Sequence, residues 1–363
     1  MGLLNHKKDS HDSQDIQIYE DTINYYTFKK NPNFKYKLTI TENNDPECYT
    51  HLFEVYVSHK DNKTYIASKN FNHNIDIYNL LDNKIILSLK GHEYNVNNVR
   101  YFINKKNYNE YLISSDSFYL YPKVIVWDIT DNYNMKYKIN TKYKFGIILS
   151  CLLIFPYNNK IDFIITSTSD ENIFYKDAGT KKYSLNNGKL IKNIKGSNEY
   201  SVYYLLSWYN KKNNKTYLIQ FCRYNVIISD LVSDIIYSDI DVKDIEHFCG
   251  IILEKKNTDY LIYSSSWGSF VTYDLYKKSI IKVVKIARQY TSNFIQWNEN
   301  YFIFSHCKSR SFFVVDSKTF KIISQYKTDN ESYPCCVKEV YHPKYGEALL
   351  VLRYNGHLQL WIV

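Results

Sequence analysis

Few residues of this chain have the types and spacings that chemistry requires, and those few point to recognition rather than reaction. The ten histidines are dispersed along the 363 residues. No nucleophile elbow, glycine-rich phosphate loop, HExxH pair or paired-carboxylate motif occurs. Asp170 and Glu171 lie in the turn SDENIFYKDAGTK, which has no glycine at the place a calcium loop needs one. The seven cysteines show no CxxC spacing, and Cys335 and Cys336 are adjacent, so they read as reduced structural thiols. The expectation is a non-enzymatic protein with no catalytic residue, no cofactor and no metal site.

The arginines stand apart. Only five occur among 46 basic residues. Arg100 falls inside an apolar run, whereas Arg223, Arg310 and Arg353 adjoin turns and Arg288 lies in another connection. Tyr224, Trp267, Tyr290 and Tyr354 accompany them. Arginine and large aromatics are the usual material of interface hot spots, and the guanidinium fork suits carboxylates and phosphates. Arg223, Tyr224, Trp267, Arg288, Tyr290, Arg310, Arg353 and Tyr354 therefore form the candidate partner-binding set, for an acidic or phosphorylated protein or peptide. The net charge of +9 could suggest a polyanion, but the lysines are scattered rather than clustered, so nucleic acid is not expected.

The elements that must position these residues are strands. Short β-branched and aromatic runs recur between Asn, Asp, Gly, Lys and Ser, and 38 Tyr and 19 Phe favour pleated surfaces further. The run KVIVWDI has counterparts along the chain. They mark seven equivalent positions: Tyr78, Trp127, Tyr183, Ser229, Tyr273, Val315 and Trp361, from 42 to 56 residues apart. Asp follows four of them. A period of this length with several strands per unit indicates a propeller. In the second unit the strands are expected at 96–102, 110–115, 123–129 and 135–139. The chain stops at a third strand, HLQLWIV, while FKYKLTI (34–40) is an orphan outer strand at the other end. The expectation is an all-β, seven-bladed ring of four-stranded antiparallel blades, with 34–40 completing the last blade. Residues 34–363 are then one domain and 1–33 a polar, flexible lead.

The start of the chain shows no apolar core of a secretory leader. FGIILSCLLIF (145–155) is about half a membrane span. A cytoplasmic protein is expected, with the nucleus left open, acting as a monomeric unit within a larger complex and not inserted in a membrane.

The pair Gly91-His92, answered by Trp127-Asp128, resembles the WD-repeat family of β-propellers. The resemblance is complete in this one unit and elsewhere extends only as a repeat pattern. It implies a buried hydrogen-bonded chain of His92, Ser115, Asp116 and Trp127, structural rather than catalytic. It also implies a scaffold for protein–protein interaction, with connections of the Gly-His type and those between second and third strands opening on the partner face. Two other readings stay open. A ubiquitin-ligase substrate receptor often carries Arg two places after Trp-Asp, where this chain has Thr130. An RNA- or ribosome-associated propeller is favoured by charge alone.

Overall fold

The computed structural model describes residues 28–42, 53–104, 107–116, 123–140, 152–157, 160–167, 179–194, 202–222, 224–241, 249–255, 257–265, 269–285, 291–307, 309–328 and 332–363. Among these residues the strands pair into seven antiparallel sheets of four. Six sheets are built from consecutive strands. The last combines Pro334–His342, Gly346–Arg353 and His357–Ile362 with Lys35–Glu42 from the other end of the chain. The first strands of neighbouring sheets approach one another, so they are the inner strands and the fourth are the outer ones. In the second sheet the strands run Val96–Asn104, Asn109–Asp116, Lys123–Asp128 and Asn134–Asn140, close to the expected spans. The apolar run at 145–155 lies partly outside the described residues, and its end forms the strand Leu152–Tyr157.

The seven positions marked in the sequence share one piece of backbone geometry. Opposite each lies a bulge, where the pairing of third and outer strands skips one outer-strand residue. Tyr78 pairs with Ile85 and Ile77 with Leu87, leaving Ile86 extra. The same skip occurs at Lys136, Ile191, Tyr237, Ile281, Ile323 and, in Lys35–Glu42, at Lys37. A bulge increases local twist and breaks the strict alternation of faces. It accounts for consecutive exposed aliphatics such as Ile85-Ile86, Ile280-Ile281 and Ile322-Ile323.

The turn from third to outer strand, present in six of the seven sheets, is equally regular. Five residues after the marked position stands a left-handed residue: Asn83, Asn132, Gly188, Asp234, Lys278 or Phe320. The residue directly after the mark caps this turn. Asp230 Oδ1 accepts from Val232 and Ser233 N–H, Asp274 Oδ1 from Tyr276 and Lys277, and Asp316 Oδ1 from Lys318 and Thr319. Asn79 does the same for Leu81. That is the physical reason aspartate recurs there: a short acceptor is needed that folds back on its own chain. One residue further on, the N–H of Leu80, Ile129, Leu231 or Leu275 donates to a carbonyl of the second strand, and that of Ser317 to Asn300 O just before it, at 2.7–3.0 Å. The side chains of Leu80, Ile129, Leu231 and Leu275 are buried there.

Among the described residues the packed body already includes Phe28, before the boundary at 34. Residues 28–33, expected as part of a flexible lead, lie against the sixth and seventh sheets. Phe28 and Phe34 pack on Trp297, whose indole N–H donates to Lys30 O at 3.0 Å. The polar composition of FKKNPNF hid this, because Phe28, Pro32 and Phe34 are buried while Lys29, Lys30, Asn31 and Asn33 face solvent. Residues 1–27 lie outside the described residues.

Asp316→Ala removes an acceptor that serves two turn N–H groups and should cost about 1 kcal/mol, by analogy with the loss of a helix cap. Asp316→Asn should cost less, since Asn79 fills that role in the first sheet. The Thr319 N–H, helped by its hydroxyl and the Lys318 N–H, holds the Asp316 carboxyl below its ordinary value against partial burial. Burial alone would raise Asp230, but the Ser233 N–H, Lys215 and the Val232 N–H hold it low as well. The stability these carboxylates contribute is therefore present above about pH 4 and lost as pH falls through their depressed values. Urea midpoints measured from pH 7 to pH 3 should fall more steeply for the wild type than for D316N; parallel curves would contradict this.

Candidate functional site

The second sheet holds the polar chain around His92. His92 follows the outer strand Lys84–Leu89 of the first sheet, and Gly91 lets the backbone press close. A Cβ on Gly91 would meet Met135 Cε at 2.8 Å and Ile125 Cδ1 and Trp127 Cη2 at 3.0 Å. Trp127 Nε1–H donates to Ser114 Oγ at 2.8 Å, and Ser114 Oγ lies 2.7 Å from His92 Nε2. His92 Nδ1 lies 3.1 Å from Asp116 Oδ2, and Asp116 Oδ1 accepts the Lys123 N–H at 2.8 Å. One proton order satisfies every member. The indole donates to the serine, the serine hydroxyl to Nε2, and Nδ1–H to the aspartate. Ser, His and Asp are the types of a nucleophilic triad, but Ser114 and Asp116 are 0% exposed and no substrate atom reaches the hydroxyl. The chain acts as internal mortar.

The serine in this chain is Ser114, not Ser115. Side chains alternate along a strand, so Asp116 shares a face with Ser114 and points away from Ser115. The register agrees: Leu112 lies opposite Trp127 and Ser114 opposite Ile125. Ser115 Oγ is buried on the other face and takes no hydrogen-bond partner. Asp116 keeps its place despite the FYLYP insertion, because its second oxygen holds the first N–H of the third strand. In other sheets the position of Ser114 is filled by Ser68, Ile165, Gln220, Tyr263, Phe304 or Val351. The first sheet keeps the serine but has Tyr78 where Trp127 stands, so the full motif occurs once among these sheets. Trp361, at the same position as Trp127, donates instead to Gln359 at 3.3 Å.

The candidate partner-binding set separates into three groups. Tyr224 is 45% exposed, and Arg310 is exposed in a turn with φ +50°. The Arg310 carbonyl accepts from Thr328 N and Oγ1, each at 2.9 Å, tying that turn to the end of the outer strand. Tyr354 is half-buried and stacks on Tyr333 with centroids 4.7 Å apart. Arg353, in contrast, is 1% exposed. It ends the strand Gly346–Arg353, whose two faces are covered by neighbouring sheets, so it supports the loop rather than presenting a cation. Arg223, Trp267, Arg288 and Tyr290 lie outside the described residues.

Sequence reading missed a set of buried carboxylates at the start of second strands. Glu110 accepts from Ser58 Oγ at 2.9 Å, from Tyr101 OH at 3.1 Å and from the His59 N–H. Asp259 accepts from Trp208 Nε1 at 3.0 Å and Tyr276 OH at 2.8 Å. Glu347 accepts from the Lys29 and Lys30 N–H groups, both at 2.9 Å. A signal existed in the repeated NEYLI, TDYLI and GEALL. On the inner strands Glu54 binds Lys338 at 2.5 Å and Arg100 at 3.4 Å, linking the seventh, first and second sheets.

Among the described residues, no group of three or more His, Cys, Asp and Glu could hold a metal ion. Among the described residues, no helix is long and apolar enough to cross a membrane. Burial pushes the Cys222 thiol up to about 12, so it stays protonated at neutral pH.

Four-stranded antiparallel sheets packed through their inner strands define a β-propeller. Solved propellers match the chain closely in shape and distantly in sequence. The β-propeller domain of Cps50 (Swd1) from Myceliophteria thermophila aligns with a TM-score of 0.65 and 12% identity, covering 91% of this chain and 99% of that one. BBS1N, solved in complex with ARL6DN, aligns at 0.66 and 10%, covering 91% and 96%. No family model and no curated protein sequence matches the chain.

Ser114→Ala strands the indole N–H of Trp127 and a nitrogen of His92, and should cost about 2–3 kcal/mol. Ser115→Ala removes an unpartnered hydroxyl and should be neutral or slightly stabilising. Equal losses in chemical denaturation would refute this assignment of the chain.

Proposed function

We propose that the chain is a non-enzymatic WD-repeat scaffold, a closed ring of seven blades that binds other proteins through one face. Closure is supported by the bulge that Lys35–Glu42 shares with every other outer strand, and by the Glu54–Lys338 pair between first and seventh sheets.

The observation that carries the functional reading is the contrast between connections. Turns from third to outer strands are four or five residues long throughout. Connections from second to third strands range from two to eleven residues, and those from outer to next inner strands from five to eleven. The first kind of turn lies at one end of the strands and the two variable kinds at the other. First-to-second connections share the end of the third-to-outer turns and run from two to six residues, so the opposite end, with connections of up to eleven, is the more varied and is where recognition is placed. Tyr224, Arg310 and Tyr354 belong to that end; Arg223, Trp267, Arg288 and Tyr290 fall by sequence in connections of the same kinds, outside the described residues. Their chemistry fits an acidic or phosphorylated segment. BBS1N, a propeller of similar shape, was crystallised with a protein partner.

Arg223→Glu with Arg310→Glu should lower capture of the natural partner from cells of the source organism at least tenfold, about 1.4 kcal/mol, with unchanged melting. Phosphatase treatment of the lysate separates phosphorylated from merely acidic ligands. Undiminished capture by the folded double variant would remove the arginines from the interface. Arg353 is left intact because its burial would confound the result.

A further inference from the structure

The segment Phe28–Phe34 is held the way a bound peptide is held. It joins no ladder, since pairing of the outer strand starts at Lys35. Its main chain is read instead by fixed side chains. The Glu347 carboxylate accepts two consecutive N–H groups, from Lys29 and Lys30. The Trp297 indole donates to Lys30 O and the Tyr326 hydroxyl to Pro32 O, each at 3.0 Å. Two aromatic anchors fill the groove. Phe28 is 6% and Phe34 4% exposed, and Phe34 meets Trp297, Phe312 and Tyr326 edge-on at 5.0, 5.8 and 5.5 Å. The receiving surface also has contacts of its own: Tyr326 stacks on Phe312 at 5.0 Å, and Trp361 closes on Phe312 at 5.1 Å. Lys29, Lys30, Asn31 and Asn33 face outward and contribute little specificity.

We propose that the groove between the sixth and seventh sheets is a peptide-recognition site, and that residues 28–34 are its occupant in cis. Its ligand class is an extended segment of the pattern aromatic-x-x-x-Pro-x-aromatic. The two residues after the first aromatic must keep their N–H groups for Glu347, so proline is barred from both. Recognition of main chain by pre-set side chains with two apolar anchors is the logic of groove-bound peptides. Ordering seven residues offsets much of what the two rings contribute, so the segment opens locally while the sheets stay intact. The site is separate from the loop face and does not rest on the reading given for it.

The test uses a fluorescein-labelled peptide of residues 26–34 and the full chain. The wild type, its groove filled, should bind the peptide weakly. Phe28→Ala should bind it at least tenfold more tightly by fluorescence anisotropy. A peptide with proline in place of Lys29, or with both phenylalanines changed to alanine, should not bind. F28A/E347Q should lose at least tenfold relative to F28A. In the wild type, hydrogen exchange at Lys29 and Lys30 should run ahead of exchange in Gly346–Arg353. The proposal is overturned if F28A fails to fold, if folded F28A binds no better than wild type, if the altered peptides bind equally, or if exchange in the segment coincides with that of the strand. None of these outcomes bears on the arginine face, whose test uses a different surface.

Discussion

A sheet that must pack on a neighbour at each side cannot stay flat, and here the twist is taken up where the third strand passes to the outer one. The acceptor after the marked position, the left-handed residue four further on and the skipped outer-strand residue form one cooperative device. The acceptor sets the turn, the turn sets the register, and the bulge adds twist at the rim. Because the following N–H is tied to the second strand, three strands are fixed by one short stretch of sequence. Bulky residues tolerate the left-handed place because the surroundings impose it: Phe320 and Lys278 serve there as well as Gly188.

The sheets are then joined by buried polar contacts that span neighbours. Glu110 reaches the first sheet, Asp259 takes the indole of the fourth, Glu54 gathers Lys338 and Arg100, and Glu347 holds the segment before Lys35–Glu42. Each carboxylate is buried with several donors, the condition under which a buried acid is tolerated. Removing one member would leave charge or N–H groups stranded between sheets.

The architecture was legible from Tyr78, Trp127, Tyr183, Ser229, Tyr273, Val315 and Trp361, because their spacing reflects a backbone constraint that recurs once per unit. The orphan strand near Tyr36 was legible for the same reason. Ser114 was not: the analogy of motif placed the hydroxyl next to the aspartate, and only the parity of side chains along a strand corrects it. Arg353 looked like a loop cation because it borders a turn, yet its burial follows from a strand covered on both sides. The docking of Phe28 could not be read, since two aromatics among lysines and asparagines carry no period and their partners lie far along the chain. The buried acids were visible as a repeated acid–x–leucine pattern, with x Tyr or Ala, but charge near a turn is normally a solvated feature and hides among its equals.

The skipped residue also bears on how the molecule coexists with its own copies. Outer strands present unpaired amides and carbonyls beside exposed isoleucines such as Ile281 and Ile323, the ingredients of strand-to-strand aggregation. An interrupted register at the start of each edge denies an incoming chain a continuous ladder, and lysines such as Lys282 and Lys285 set charge along it. The rim so built opposes edge-to-edge pairing between copies, and straightening a single rim by deleting one residue would weaken that protection.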